Sequence, residues 1–408
     1  MAMKSFFLTL LAACFVLSCS KTEPVCEETE TGPSQTGIDR SDEVINCIDE
    51  FISELSKRDT KSCKFDRIYD KSSMYCITRD SRTTKSGSSS NDLYVVNFQD
   101  NQGYAVVSSS MGGELRLVCL AEKGGLGIAR MQEAQRLIQS TDSVTGLTEC
   151  ASPDDSLFVP MLLLGGDDPL ANAYRPIDDG PIGGGPSGIV GPYLKTKWSQ
   201  KGQPFNDLLP NDYAVGCVPL AVAQIMAYEE SASSMVFNGV TCSWSEMKTV
   251  HTYPYRDSLG TPAGQEQVAN FLYAMGNADN CNVTYGPSTT ATATDARRAF
   301  LNNGYSNATI HFGVSFNSSL RSTVRNQLFS GHPVYCDGSH SVSSGHAWVI
   351  DGYYAGYYHI NWGWLGDSDG YYSEGVFDTT LRNSISSYDS GTNNELHNYV
   401  FGFNVITY

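Results

Sequence analysis

The sequence predicts an α+β protein built in two parts, and three observations carry that expectation. Short apolar segments separated by Asn, Asp and Gly run from Asp92 to Ala121; a Pro/Gly-rich passage spans Asp178 to Pro192; and a helix-like run opens at Gly216-Cys217, followed much later by aromatic strand-like segments holding His346 and Asn361. With 408 residues the chain is long enough for two or three ordinary domains. Its 27 Lys and Arg against 44 Asp and Glu leave a formal charge of -17, and no basic patch interrupts the acidity, so a broad nucleic-acid surface is excluded because a polyanion would be repelled.

Taken in order, residues 1–18 have the layout of a bacterial export signal: Lys4, an apolar run from Phe6 to Leu17 too short to span a bilayer, then small residues. Leu17-Ser18-Cys19 resembles a lipobox, which predicts cleavage before Cys19 and a lipid anchor on it. The protein is then exported, as an outer-membrane or cell-surface lipoprotein or as a secreted product after processing. Residues 19–90 are a polar extension with one amphipathic helix, DEVINCIDEFISEL, whose Val44, Ile45, Ile48, Phe51, Ile52 and Leu55 recur at three and four. Cys26, Cys47, Cys63 and Cys76 lie there, and export permits disulfides among them without fixing a pairing.

Residues 91–180 predict a small α+β domain, with strands at Leu93–Phe98 and from Tyr104 to Ser108 joined by an Asp/Asn/Gly turn, a further strand in ELRLVCLA and a helix in IARMQEAQRLIQS. Residues 181–190 form a protease-accessible linker, because proline removes donors and glycine is costly to order. The second domain covers 191–408 and holds all seven histidines.

Its chemistry begins at GCVPLAVAQIMAYEE, where Cys217 sits at the start of a helical pattern and Pro219 fits the first turn. Unpaired N–H groups at a helix start stabilise a thiolate, so a lowered thiol pKa is expected there. A cysteine in that position, taken alone, is most often just a small buried residue. A base is needed as well, and SSGHAWVIDGYY offers His346 at the mouth of an apolar strand. The next strand, YYHINWGW, brings Asn361, which would accept a bond from the imidazole, and Trp362, which would cover that bond from water.

With those motifs assembled, the sequence resembles the streptopain-like cysteine peptidases, the C10 family of the papain-like superfamily. The resemblance runs through TKWSQKGQPFNDLLP, GCVPLAVAQIMAY, YGPSTTATA, SGHAWVIDGY and YHINWGWLGDSDGYY, across nearly all of residues 190–378. It implies a papain-like catalytic domain with Cys217 as nucleophile, His346 as general base, Asn361 and Trp362 as its orienting neighbours, and Gln200 in WSQ as the oxyanion donor beside the Cys217 amide. It also implies a zymogen whose prodomain lies in the cleft, protein or peptide substrates, and no cofactor or metal. The prodomain likeness rests mainly on GYAVVSSS, and SISSYDSGTNNELHNYVFGFN lacks the family's glycine-dense loop, which bears on substrate gating.

Other signals are weaker. GDSDG around Asp367 and Asp369 has calcium-like spacing but lacks the rest of a twelve-residue loop, and reads as a polar turn. His332, His340 and His359 have no ligand spacing for zinc, and His397 is expected to face solvent. Two rival readings stay open: a catalytically inactive or inhibitory peptide-binding surface lipoprotein, and a transpeptidase using the same thioester.

Overall fold

The structure, a computed structural model, describes residues 40–58, 69–77, 92–109, 113–127, 188–252, 258–340, 345–379 and 398–408. The leader with Cys19, then Cys26 and Cys63, the helix expected in IARMQEAQRLIQS, most of the Asp178–Pro192 passage and His397 lie outside the described residues.

Helix α1 (Ser41–Arg58) starts with Asp42 and Glu43, whose charges suit the positive end of a helix. Its stripe of Val44, Ile48, Ile52 and Leu55 is buried against one face of three strands, β2 (Leu93–Phe98), β3 (Tyr104–Ser109) and β4 (Leu115–Ala121), through Tyr94, Val96, Ala105, Val107 and Leu120. The residues between these, Leu93, Val95, Tyr104, Val106 and Cys119, enter a second core on the other face. With both faces covered, the strands read as near-continuous apolar runs. The expected turn between β2 and β3 is present, with Asp100 and Asn101 at φ 56° and 55°, which Asp and Asn tolerate better than other side chains. A strand that the polar sequence hid, β1 (Tyr69–Ile77), pairs antiparallel with β2, so the 19–90 segment contributes to the sheet as well as supplying a helix. Cys47 carries a free thiol.

The second part opens with α2 (Cys217–Glu229), buried from Val218 through Ala227. A short hairpin of β5 (Val236–Phe237) and β6 (Val240–Thr241) leads to α3 (Trp244–Met247), α4 (Pro262–Met275) and α5 (Ala293–Asn302). Thr261 caps α4, and Thr292 with Asp295 forms a capping box on α5. Then follow β7 (Thr309–Gly313), α6 (Ser318–Phe329), β8 (Val334–Ser339), β9 (Gly345–Tyr354), β10 (Tyr357–Asn361), β11 (Gly370–Ser373) and β12 (Phe401–Thr407). The helices α2, α4 and α5 share a core with Tyr335, Ala347 and Val349 of β8 and β9, while Trp348, Ile350 and Trp362 enter the opposite core. This is an α+β arrangement of helices against an antiparallel sheet. No helix among the described residues is long and apolar enough to cross a membrane.

The strands of the two expected parts form one sheet. Ten strands run in the order β1-β2-β3-β4-β11-β10-β9-β8-β12-β7, and the seam between the parts is the antiparallel pairing of Gly370, Tyr371 and Tyr372 with Ala121, Leu120 and Cys119. Gly370 is required there because a Cβ would lie 2.1 Å from the Leu120 carbonyl oxygen. Gly370→Ala is therefore expected to destabilise the fold by about 2 kcal/mol through overpacking. Urea unfolding measures this, and an unchanged midpoint would show that the seam yields freely.

Candidate active site

Gly216 has φ 101°, a backbone turn that L side chains rarely adopt, and it swings the chain so that Cys217 becomes the first residue of α2. The polar groups acting on the sulfur include backbone amides: that of Ala347, which directly follows His346 in β9, then those of Val218 and of Cys217 itself. These favour the thiolate, yet burial outweighs them and, with the carboxylate of Asp337 acting in the same direction, pushes the thiol up to about 11. Burial thus works against the lowering expected from the helix start. Asp337, on β8, is itself pushed up to about 6 by burial, against the bonds it accepts from Asn404 Nδ2 at 2.8 Å and the Tyr335 hydroxyl at 2.9 Å.

His346 pairs across the sheet with Gly338 and is buried. Its Nε2 lies 2.9 Å from the backbone carbonyl of Trp362, and its ring stacks on Trp364 with centroids 4.9 Å apart. A carbonyl only accepts, so Nε2 carries the proton and Nδ1 of the neutral ring keeps the lone pair. The bond expected from Asn361 to the imidazole is made by Trp362 instead, and strand register explains why. Asn361 pairs with Val349, three residues past His346, so the chain must run on before it reaches the ring. The Asn361 side chain turns toward α2: its Nδ2 donates to the Thr196 carbonyl at 3.0 Å, and its Oδ1 accepts from Gln224 Nε2 at 3.0 Å and from the Gly363 amide at 3.1 Å. Trp362 is fully buried, its ring roughly parallel to the imidazole at a centroid distance of 6.3 Å, so Trp364 is the nearer cover. Trp362 is the tryptophan expected in that role, and residue type alone does not distinguish it from Trp364.

Gln200, which as a lone glutamine in a polar loop would be solvated, is buried, and its carbonyl accepts the Val215 amide at 2.9 Å. That bond ties the WSQ segment to the residue just ahead of Gly216-Cys217. Ser199 also bridges to Trp364, so the same segment reaches the histidine side of the site.

Residues 198–372, which contain Gln200, Cys217, His346, Asn361 and Trp362, match the Peptidase C10 family. Streptopain of Streptococcus pyogenes serotype M1 is 31% identical over 181 residues, covering 39% of this chain and 45% of streptopain. The thiol protease/hemagglutinin PrtT of Porphyromonas gingivalis is 30% identical over 201 residues, covering 42% of this chain and 22% of that protein. The chain thus spans less than half the length of the curated relatives it matches. A solved prointerpain A fragment from Prevotella intermedia is 21% identical, covering 82% of this chain and 98% of the fragment, with a TM-score of 0.46.

Behind the tryptophans lies a buried set of charges that the sequence only hinted at. Lys197 Nζ lies 2.8 Å from Asp369 Oδ2 and 4.0 Å from Glu122, and these carboxylates outweigh burial and hold the ammonium protonated. Asp369, expected in a polar turn, is fully buried, and its other oxygen accepts the Trp362 amide at 2.8 Å. His359 places Nδ1 2.5 Å from Asp351 and Nε2 3.2 Å from Glu122. Burial pulls its pKa down, but the two carboxylates outweigh that and raise it to about 9. Asp351 is the extra residue of a β-bulge, where His359 pairs with Gly352 and Ile360 with Ile350. The usable signal was the charge itself: Lys, His and Asp inside otherwise apolar stretches are informative because such groups are rarely buried unpaired.

Proposed function

We propose that the protein is a papain-like cysteine endopeptidase, made as a zymogen, that hydrolyses peptide bonds in proteins. One observation carries the reading: the backbone amide beside His346 acts on the Cys217 thiol, and the Trp362 carbonyl accepts the hydrogen bond from Nε2, which leaves Nδ1 as the imidazole atom able to receive the thiol proton. In the reaction, Nδ1 takes that proton and the sulfur attacks the substrate carbonyl carbon. The Gln200 side-chain N–H and the Cys217 amide stabilise the oxygen as it becomes negative. The imidazolium then protonates the departing amine, and water hydrolyses the thioester, returning the proton to the thiol. Asn361 acts by holding the segment that carries Trp362, and Trp362 with Trp364 keeps water from the imidazole bond.

The N-terminal part, α1 with β1 to β4, is the prodomain in this reading. Its sheet continues into the catalytic sheet at β4 and β11, and Phe51 of α1 packs edge-on against Tyr357 with centroids 4.7 Å apart. The leader and Cys19 supply export and lipid anchoring. The test is treatment of the processed protein with a thiol-directed epoxide, followed by hydrolysis of unfolded casein. Labelling at Cys217, with hydrolysis lost in Cys217→Ala, is the expected result; hydrolysis that survives Cys217→Ala rejects the mechanism.

A further inference from the structure

A helix buried on every side has no use for a polar side chain unless that side chain is fully bonded, and α2 contains one. Gln224 is 1% exposed and lies two turns after Cys217. Its bonds go to two different parts of the site. Its Oε1 accepts the Trp198 amide at 3.2 Å and the Thr196 hydroxyl at 3.1 Å, in the strand-like segment that leads directly to Gln200. Its Nε2 donates to Asn361 Oδ1 at 3.0 Å.

That Asn361 oxygen also accepts the Gly363 amide at 3.1 Å. The Gly363 N–H and the Trp362 C=O are opposite ends of one planar peptide unit, so fixing one end aims the other. The aimed end is the carbonyl that holds His346 Nε2 at 2.9 Å. On the far side, Asp369 grips the preceding peptide through the Trp362 amide.

We infer that Gln224 is a positioning residue of the site, a single side chain on the nucleophile's own helix that sets both the WSQ segment and, through Asn361 and the Trp362–Gly363 peptide, the direction of the His346 imidazole. The inference rests on the peptidase reading for its kinetic consequence only. A backbone acceptor cannot be chosen by its side chain, so its aim has to come from what bonds the same peptide. Misplacement of a reacting group by about 1 Å lowers turnover up to about a hundredfold while leaving substrate contacts intact.

The test compares Gln224→Met and Gln224→Glu with the wild-type protein after processing, using peptide hydrolysis, the pH profile of Cys217 alkylation by iodoacetamide, and thermal melting. Methionine keeps the volume and removes every bond. It is expected to lower kcat about tenfold to a hundredfold with KM within about twofold, and to shift alkylation toward higher pH. Glutamate keeps the oxygens that face Thr196 and Trp198 but donates to Asn361 only when protonated. Its kcat relative to wild type is therefore expected to recover as pH falls from about 8 to about 5.

Should the methionine variant lack a cooperative melt, the glutamate profile decides. Wild-type kcat and alkylation in a folded Gln224→Met, or a Gln224→Glu deficit that is the same at every pH, overturns the inference. Absence of hydrolysis by the wild-type protein rejects the peptidase reading instead, and the alkylation profiles still test Gln224 separately.

Discussion

His346→Ala is expected to slow alkylation of Cys217 at pH 7 by about a hundredfold or more, with the rate still climbing as the pH approaches the thiol's own range. The reason is the position of that range. Burial holds the thiol near a pKa of about 11, so by itself it is ionised in roughly one molecule in ten thousand at neutral pH. Backbone amides around the sulfur are too few to offset the loss of water. A partner that accepts the proton is the remaining route to a nucleophile, and Nδ1 of His346 is the nitrogen left with a lone pair. On the proposed mechanism the imidazole has two tasks, forming the thiolate and later protonating the amine, and its removal is expected to lower hydrolysis by at least about a thousandfold. Alkylation by His346→Ala at the wild-type rate at pH 7 would show that the sulfur ionises without the ring.

Stability is expected to fall as the pH rises through about 9, on account of His359. The folded protein raises this histidine from its ordinary 6.5 to about 9, because Asp351 and Glu122 hold the charged form. A group whose pKa is higher folded than unfolded binds its proton more tightly in the folded state. Its contribution is fully present below about 6.5 and is lost progressively as the pH climbs through about 9. For a histidine buried this completely, the shift corresponds to about 3 kcal/mol. Thermal melts between pH 6 and pH 10 measure it, with His359→Gln as the reference. The wild-type melting temperature should fall across that window relative to the variant, and parallel curves for the two proteins reject the assignment.

Much of this architecture was legible in the sequence for identifiable physical reasons. The three-and-four spacing of Val44, Ile48, Ile52 and Leu55 gave α1, and the Asp/Asn/Gly cluster gave the turn between β2 and β3. Cys217 and His346 stood out because a helix start and a strand mouth are places where side chains of that kind do chemistry. The acceptor for the imidazole was hidden because it is a backbone atom, and its reach depends on a register that residue types do not encode. Strand β1 was hidden by its polar composition, since pairing is made by backbone groups whatever the side chains. The thiol's raised pKa escaped notice because a helix start is a local feature, whereas burial is set by strands more than a hundred residues downstream.

The seam between β4 and β11 bears on what a processed molecule would have to withstand. Removal of the N-terminal strands turns β11 from an interior strand into a border, where unpaired amides and carbonyls invite a strand from another molecule. Yet β11 is only Gly370–Ser373, and the seam engages three of those residues. So brief a border offers a stray strand little to grip, and on the proposed zymogen reading the processed molecule would keep that edge from pairing with a neighbour.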